Sequence, residues 1–178
     1  MNKTFKNILS SIKEEKAKVP VWQLNKCLTN INVYLDKYNQ DFTIVGELNN
    51  ILFINCGNTT SVNQTVSCLQ KIKHPVILII GGLNSLDDYS PLTQLASENI
   101  DTIITIGIGK ETLAKKFETY DVEVITANTT EEAVFLAYKS AKENYVVLFS
   151  PSAPEIEYNN TTTLSEEQFT NAVKKLIA

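Results

Sequence analysis

Four short polar stretches carry the residue types that could do chemistry. "NCGNTTS", residues 55–61, offers amides, three hydroxyls and a thiol where a helix is expected to begin. Helix amino termini hold anions, because their first N–H groups have no partner within the helix and the helix dipole adds positive charge. Asn58 and Thr60 are the candidate ligand contacts there, and Thr60 or Ser61 is the expected N-cap. "GGLNSLDDYSP", residues 81–91, places Asp87 beside Asp88. Paired acids could hold Mg²⁺ or share acid–base work. An Asp or Ser just before an apolar helix is also the ordinary N-cap, and capping is the favoured reading of Asp88 and Ser90. "GIGKET", residues 107–112, frees the backbone at Gly107 and Gly109 and adds Lys110. It could cradle a phosphate, but it matches neither the phosphate-loop spacing nor the three-glycine dinucleotide pattern, so a turn and cap is favoured. "SPSAPEIEYNNTTT", residues 150–163, contributes Ser150 and Glu155.

Other chemistry is restricted by what the chain lacks. Its only histidine is His74. One imidazole cannot build a histidine metal cluster, and no G-x-S-x-G elbow accompanies it; His74 reads as a surface loop residue. All 16 basic residues are Lys. An anion would therefore be held by Lys, hydroxyls or backbone N–H groups, without the bidentate fork of Arg. The net charge is −4, which argues against nonspecific nucleic-acid binding. Residues 1–41 carry +3 and residues 42–178 carry −7. Cys27, Cys56 and Cys68 show no CxxC spacing and read as ordinary reduced thiols of a cytoplasmic protein. The longest apolar run, "PVILIIGG", is far too short for a bilayer, so no membrane insertion is expected.

The elements that must position these stretches follow from hydrophobic period. Residues 2–16 and 21–38 read as two amphipathic helices separated at Pro20, which makes residues 1–41 a helical extension. "DFTIVGELNNILFIN" reads as a hairpin turning at "ELNN". Helices at 61–73, 91–98, 111–119, 130–143 and 165–177 then alternate with strands at 76–80, 102–106, 122–125 and 145–149. Short continuous apolar strands separated by helices predict an α/β domain over 42–178, with a Rossmann-like, open, mostly parallel sheet covered on both faces. Ligands of such sheets sit at the carboxyl ends of the strands, which is where the four polar stretches fall.

Residues 42–149 resemble the C-terminal domain of the Mur ligases, above all its D-glutamate-adding branch. "FINCGNTTSVNQTVSCL" is similar to the family's F-x-N-D-S-K-A-T-N-x-x-A-T-x-x-A-L. "HPVILIIGGLNSLDDYSPL" is similar to P-V-I-L-I-x-G-G-x-x-K-G-x-D-[FY]-S-P-L, the most specific block. "IITIG", "EEAVFLAYKSA" and "VVLFSPSAP" follow in the same order. The resemblance implies a Rossmann-like domain that closes over a central ATPase domain and helps bind the incoming amino acid during ATP-driven amide formation in cell-wall precursor synthesis.

Three of the departures from that pattern share one sign. The family's D-S-K reads Cys56-Gly57-Asn58, its second-loop lysine falls at Ser85, and Glu155 stands at a serine position. Two positive charges are lost and a negative one is gained where an anionic amino acid would dock. These 178 residues contain no GT[ND]GKT-type phosphate loop. The expectation is a free-standing, noncatalytic binding or assembly module with no cofactor in the isolated chain. Its ligand-binding candidates are Asn58, Thr60, Asp88, Ser150 and Glu155. A Mur ligase or ATPase-domain protein is the expected partner, a small molecule the possible ligand. The alternative is one part of a split or truncated ligase, active only with an ATPase domain.

Overall fold

The computed structural model describes residues 43–56, 59, 61–81, 88–96, 98–118, 120–151, 157–158, 161–162 and 166–178. The two helices expected in 2–16 and 21–38 lie outside these residues.

The described domain opens with the expected hairpin. β1 (Thr43–Leu48) and β2 (Ile51–Asn55) pair antiparallel, with Leu48 opposite Ile51. Asn49 and Asn50 turn the chain at φ 52° and 61°. A two-residue turn with both residues left-handed matches the twist of the flanking strands, and Asn tolerates that region better than most side chains. The chain then alternates through α1 (Val62–Leu69), β3 (Val76–Gly81), α2 (Ser90–Ala96), β4 (Ile100–Ile106), α3 (Lys110–Phe117), β5 (Glu123–Thr126), α4 (Thr130–Ser140) and β6 (Val146–Phe149). A two-stranded ribbon, β7 (Glu157–Tyr158) with β8 (Thr161–Thr162), precedes α5 (Glu166–Ile177). That ribbon lies within residues 150–163, where the sequence predicts a polar loop.

The main sheet has the order β1-β2-β6-β3-β4-β5, parallel throughout except for β1 at its edge. Side chains alternate across it. Ile51, Phe53, Ile77, Ile79, Ile104, Ile106, Val147 and Phe149 face α4 and α5, which answer with Ala133, Val134, Ala137, Phe169, Ala172 and Val173. Small alanines let both helices approach closely, and Phe169 stacks on Phe149 with centroids 4.8 Å apart. Gly46 of β1 gives room to the end of α5: a Cβ there would lie 2.5 Å from Ile177 Cδ1. The opposite face is covered by α1, α2 and α3, through buried residues such as Leu69, Leu92, Leu113 and Phe117.

One expectation is corrected. Cys56 and Cys68 form a disulfide rather than standing as separate thiols. The cause is geometric: Cys56 follows β2 on the face covered by α1, and Cys68 lies on the buried stripe of α1 with Val62, Thr65 and Leu69. No sequence spacing announces a meeting across two elements. Cys27 lies outside the described residues.

Candidate functional site

Topology places a crevice at the carboxyl end of β6. The chain leaves β2, β3 and β4 into α1, α2 and α3 on one face, and leaves β5 and β6 into α4 and α5 on the other. β6 lies between β2 and β3, so its exit diverges from those of both neighbours. Such switch points are where open α/β sheets take their ligands.

Ser150 sits at that point, fully buried. Its N–H donates to Ile79 O at 3.0 Å. Its Oγ lies 2.8 Å from Thr59 Oγ1 and 2.8 Å from Thr65 Oγ1. Thr59 Oγ1 also donates to Cys56 O at 2.8 Å. The three hydroxyls thus stitch the loop after β2 to α1 and to the exit of β6. Sequence reasoning counted Thr59 among the hydroxyls of the first loop and singled out Ser150, but did not point to Thr65. Thr65 carried no functional signal, because a Thr on the buried stripe of a helix reads as filler.

The remaining candidates divide plainly. Asn58, Thr60 and Glu155 lie outside the described residues. Ser61 is the N-cap of α1, its hydroxyl accepting from Gln64 N at 3.4 Å. Asp88 accepts from Ser90 N at 2.9 Å and from Ser90 Oγ at 2.8 Å at the start of α2. Those bonds, the backbone one first, hold its carboxyl below the ordinary Asp value, with a weaker pull from Lys116. In "GIGKET", Gly107 and Gly109 adopt φ 85° and 77°, and Gly109 is the N-cap of α3. Lys110 reaches back to the exit of β5, donating to Ala127 O at 3.0 Å and to Asn128 Oδ1. Asn128 in turn donates to Glu132 Oε2 from its N at 2.8 Å and its Nδ2 at 3.0 Å. The backbone bond is the main cause that lowers the Glu132 pKa. Lys110 therefore closes a turn.

One polar residue of this edge escaped sequence reasoning. Asn55 ends β2, opposite Thr43 and Phe149, and is only 5% exposed. Its Nδ2 donates to Glu166 Oε2 at 3.2 Å, at the first turn of α5, while its Oδ1 has no partner among the described residues. A buried acceptor without a donor costs roughly 1–3 kcal/mol. The available signal was a lone amide closing the apolar run "ILFIN".

His74 lies at the other end of the sheet. It borders a solvent-open hollow of about 640 Å³ at the amino edges of β3 to β6, with Asp101, Glu123 and Tyr145. Among the described residues, no group of three or more His, Cys, Asp or Glu could hold a metal, and no helix is long and apolar enough to cross a membrane.

Known proteins match this geometry. No protein-family model matches the chain. The UDP-N-acetylmuramoylalanine–D-glutamate ligase of Cytophaga hutchinsonii is 30% identical over 132 residues, covering 74% of this chain and 29% of that ligase. The ligase of the same name from Porphyromonas gingivalis is 32% identical, with the same coverage. The solved structure of a UDP-N-acetylmuramoyl-L-alanyl-D-glutamate–2,6-diaminopimelate ligase superposes with a TM-score of 0.55 at 11% identity, over 78% of this chain and 32% of that one, a likeness of fold. The chain spans less than a third of the length of each of these relatives. Its parallel sheet, its crevice at β6 and its sequence kinship together make the described region a Mur ligase C-terminal-like domain, akin in sequence to the D-glutamate-adding ligases.

Proposed function

We propose that this domain serves peptidoglycan precursor synthesis as a noncatalytic binding or assembly module. The observation that carries the proposal is the state of the polar groups at the carboxyl edge. Thr59, Thr65 and Ser150 bond one another, Asp88 caps α2, and Lys110 closes the β5 turn. Such groups hold a frame and leave catalysis to others. The charge pattern agrees, since Asn58 and Ser85 stand where the resembled family carries lysines. Losing a unit charge at a partly desolvated site costs an anionic ligand on the order of 1 kcal/mol or more per charge. Ligand contact by Asn58, Thr60 and Glu155 belongs to this proposal, with Asp88 and Ser150 shaping the crevice around them. No cofactor is assigned to the isolated chain. The proposal places the domain in the cytoplasm.

The test is phosphate release by the purified chain given ATP, D-glutamate and the UDP-muramoyl-alanine acceptor. The expected rate equals the buffer blank; turnover would overturn the reading. A second reading draws on the coverage of the relatives, of which this domain matches 29%. In it the chain works as one part of a D-glutamate-adding ligase, joined to an ATPase-domain protein. Co-purification with such a protein, and activity only in the mixture, would select it.

A further inference from the structure

We propose that Asn55 and Glu166 form a receptor for a primary ammonium group at the carboxyl edge of the sheet. The starting point is the orientation of the Asn55 amide. Its Nδ2 donates to Glu166 Oε2 at 3.2 Å, so the amide cannot be turned over without setting an oxygen against a carboxylate. The arm left unpartnered is therefore the acceptor, Oδ1, in a residue 95% removed from solvent (5% exposed). Buried amide oxygens are almost always satisfied. What is missing here is a donor.

The surroundings choose among donors. The Asn55 amide lies against the first turn of α5, a helix of 12 residues. An open helix amino terminus favours an anion, but this one begins with Glu166 and Glu167, which reverse its local charge. No lysine among the described residues pairs with Glu166. A water or a neutral amide could fill Oδ1 yet would leave that carboxylate uncompensated. A primary ammonium satisfies both, because it brings several N–H donors and one positive charge. The inference concerns only β2 and α5, and it stands whether or not the chain assembles with an ATPase domain.

The test uses methylammonium chloride as the probe, followed by the backbone N–H signals of Cys56, Glu166 and Glu167 in ¹⁵N correlation spectra, which every variant retains. A ligand of two heavy atoms binds no tighter than roughly the millimolar range, so the titration runs to about a hundred millimolar. Tetramethylammonium, which has the charge but no N–H, and sodium chloride are the controls. The expected result is a saturable shift with methylammonium alone. Asn55→Leu should abolish it while leaving thermal stability equal or higher, since an apolar isostere removes the unsatisfied oxygen. Glu166→Gln, at a partly exposed position, should weaken binding about tenfold. Absent or equal shifts with all three salts would overturn the proposal, as would unchanged binding in Glu166→Gln. An Asn55→Leu protein that folds poorly leaves the decision to Glu166→Gln. A midpoint raised about tenfold in that variant supports the receptor, and an unchanged midpoint sinks it.

Discussion

Replacing Ser150 by alanine tests whether the crevice is braced from within. The Ser150 hydroxyl is fully buried and lies 2.8 Å from both Thr59 Oγ1 and Thr65 Oγ1. Each such bond contributes about 1 kcal/mol net, and taking one partner away inside the core adds part of a desolvation penalty. Thr59 keeps its bond to Cys56 O and Thr65 its longer one to Ser61 O, so the penalty is shared between them. The sum is about 2–3 kcal/mol. For a chain of this size that lowers the melting temperature by roughly 4–12 °C. Urea unfolding gives the free energy directly, and a double-mutant cycle with Thr65→Val isolates the pair. A coupling of about 1 kcal/mol is expected, because the two side chains share one buried hydrogen bond. A Ser150→Ala protein within about 0.5 kcal/mol of the parent would refute this account of the hydroxyl triad. It would also leave Ser150 available as a ligand contact and nothing more.

Other perturbations have equally definite outcomes. Phe169→Ala removes a fully buried ring stacked on Phe149 and should cost about 3–5 kcal/mol in urea unfolding. Asn50→Val forces a β-branched residue to φ 61° and should cost about 1–2 kcal/mol, whereas Asn50→Gly should be neutral or slightly stabilising. Glu132 and Asp88 have folded pKa values below their ordinary 4.5 and 3.8. Their contribution to stability is therefore complete above those ordinary values and is lost as pH falls through the lower folded ones. Urea midpoints followed downward from about pH 6 should fall in that acid window, and Glu132→Gln should flatten the fall.

Much of the fold was legible because it rests on local pattern. The hairpin was readable from two β-rich runs around "ELNN", and Asn49 and Asn50 supply the turn. The five helices and the buried strands followed from period, with ends displaced by a few residues: β4 begins at Ile100 rather than 102, and α1 ends at Leu69 rather than 73. Capping by Asp88 and Ser61 was readable as well, since caps are short-range. What stayed hidden depends on contacts between distant residues. Ser150 and Thr59 are 91 positions apart, Asn55 and Glu166 are 111 apart, and no period links them. The Cys56–Cys68 bond escaped for the same reason. Lys110 looked available because its partners, Ala127 and Asn128, sit beyond the next strand. The ribbon of β7 and β8 is two residues a side, too short for alternation to register.

The central claim is that a Mur ligase C-terminal-like frame persists here without the positive charges that grip an anionic amino acid. A ¹⁵N correlation titration of the purified chain with D-glutamate tests it most directly, reading the amides of Cys56, Thr59, Ser61 and Ser150 around the crevice. The account predicts signals that stay in place up to about ten millimolar ligand, a ceiling that already corresponds to under 3 kcal/mol of binding. A saturable shift of those amides at micromolar D-glutamate would contradict it.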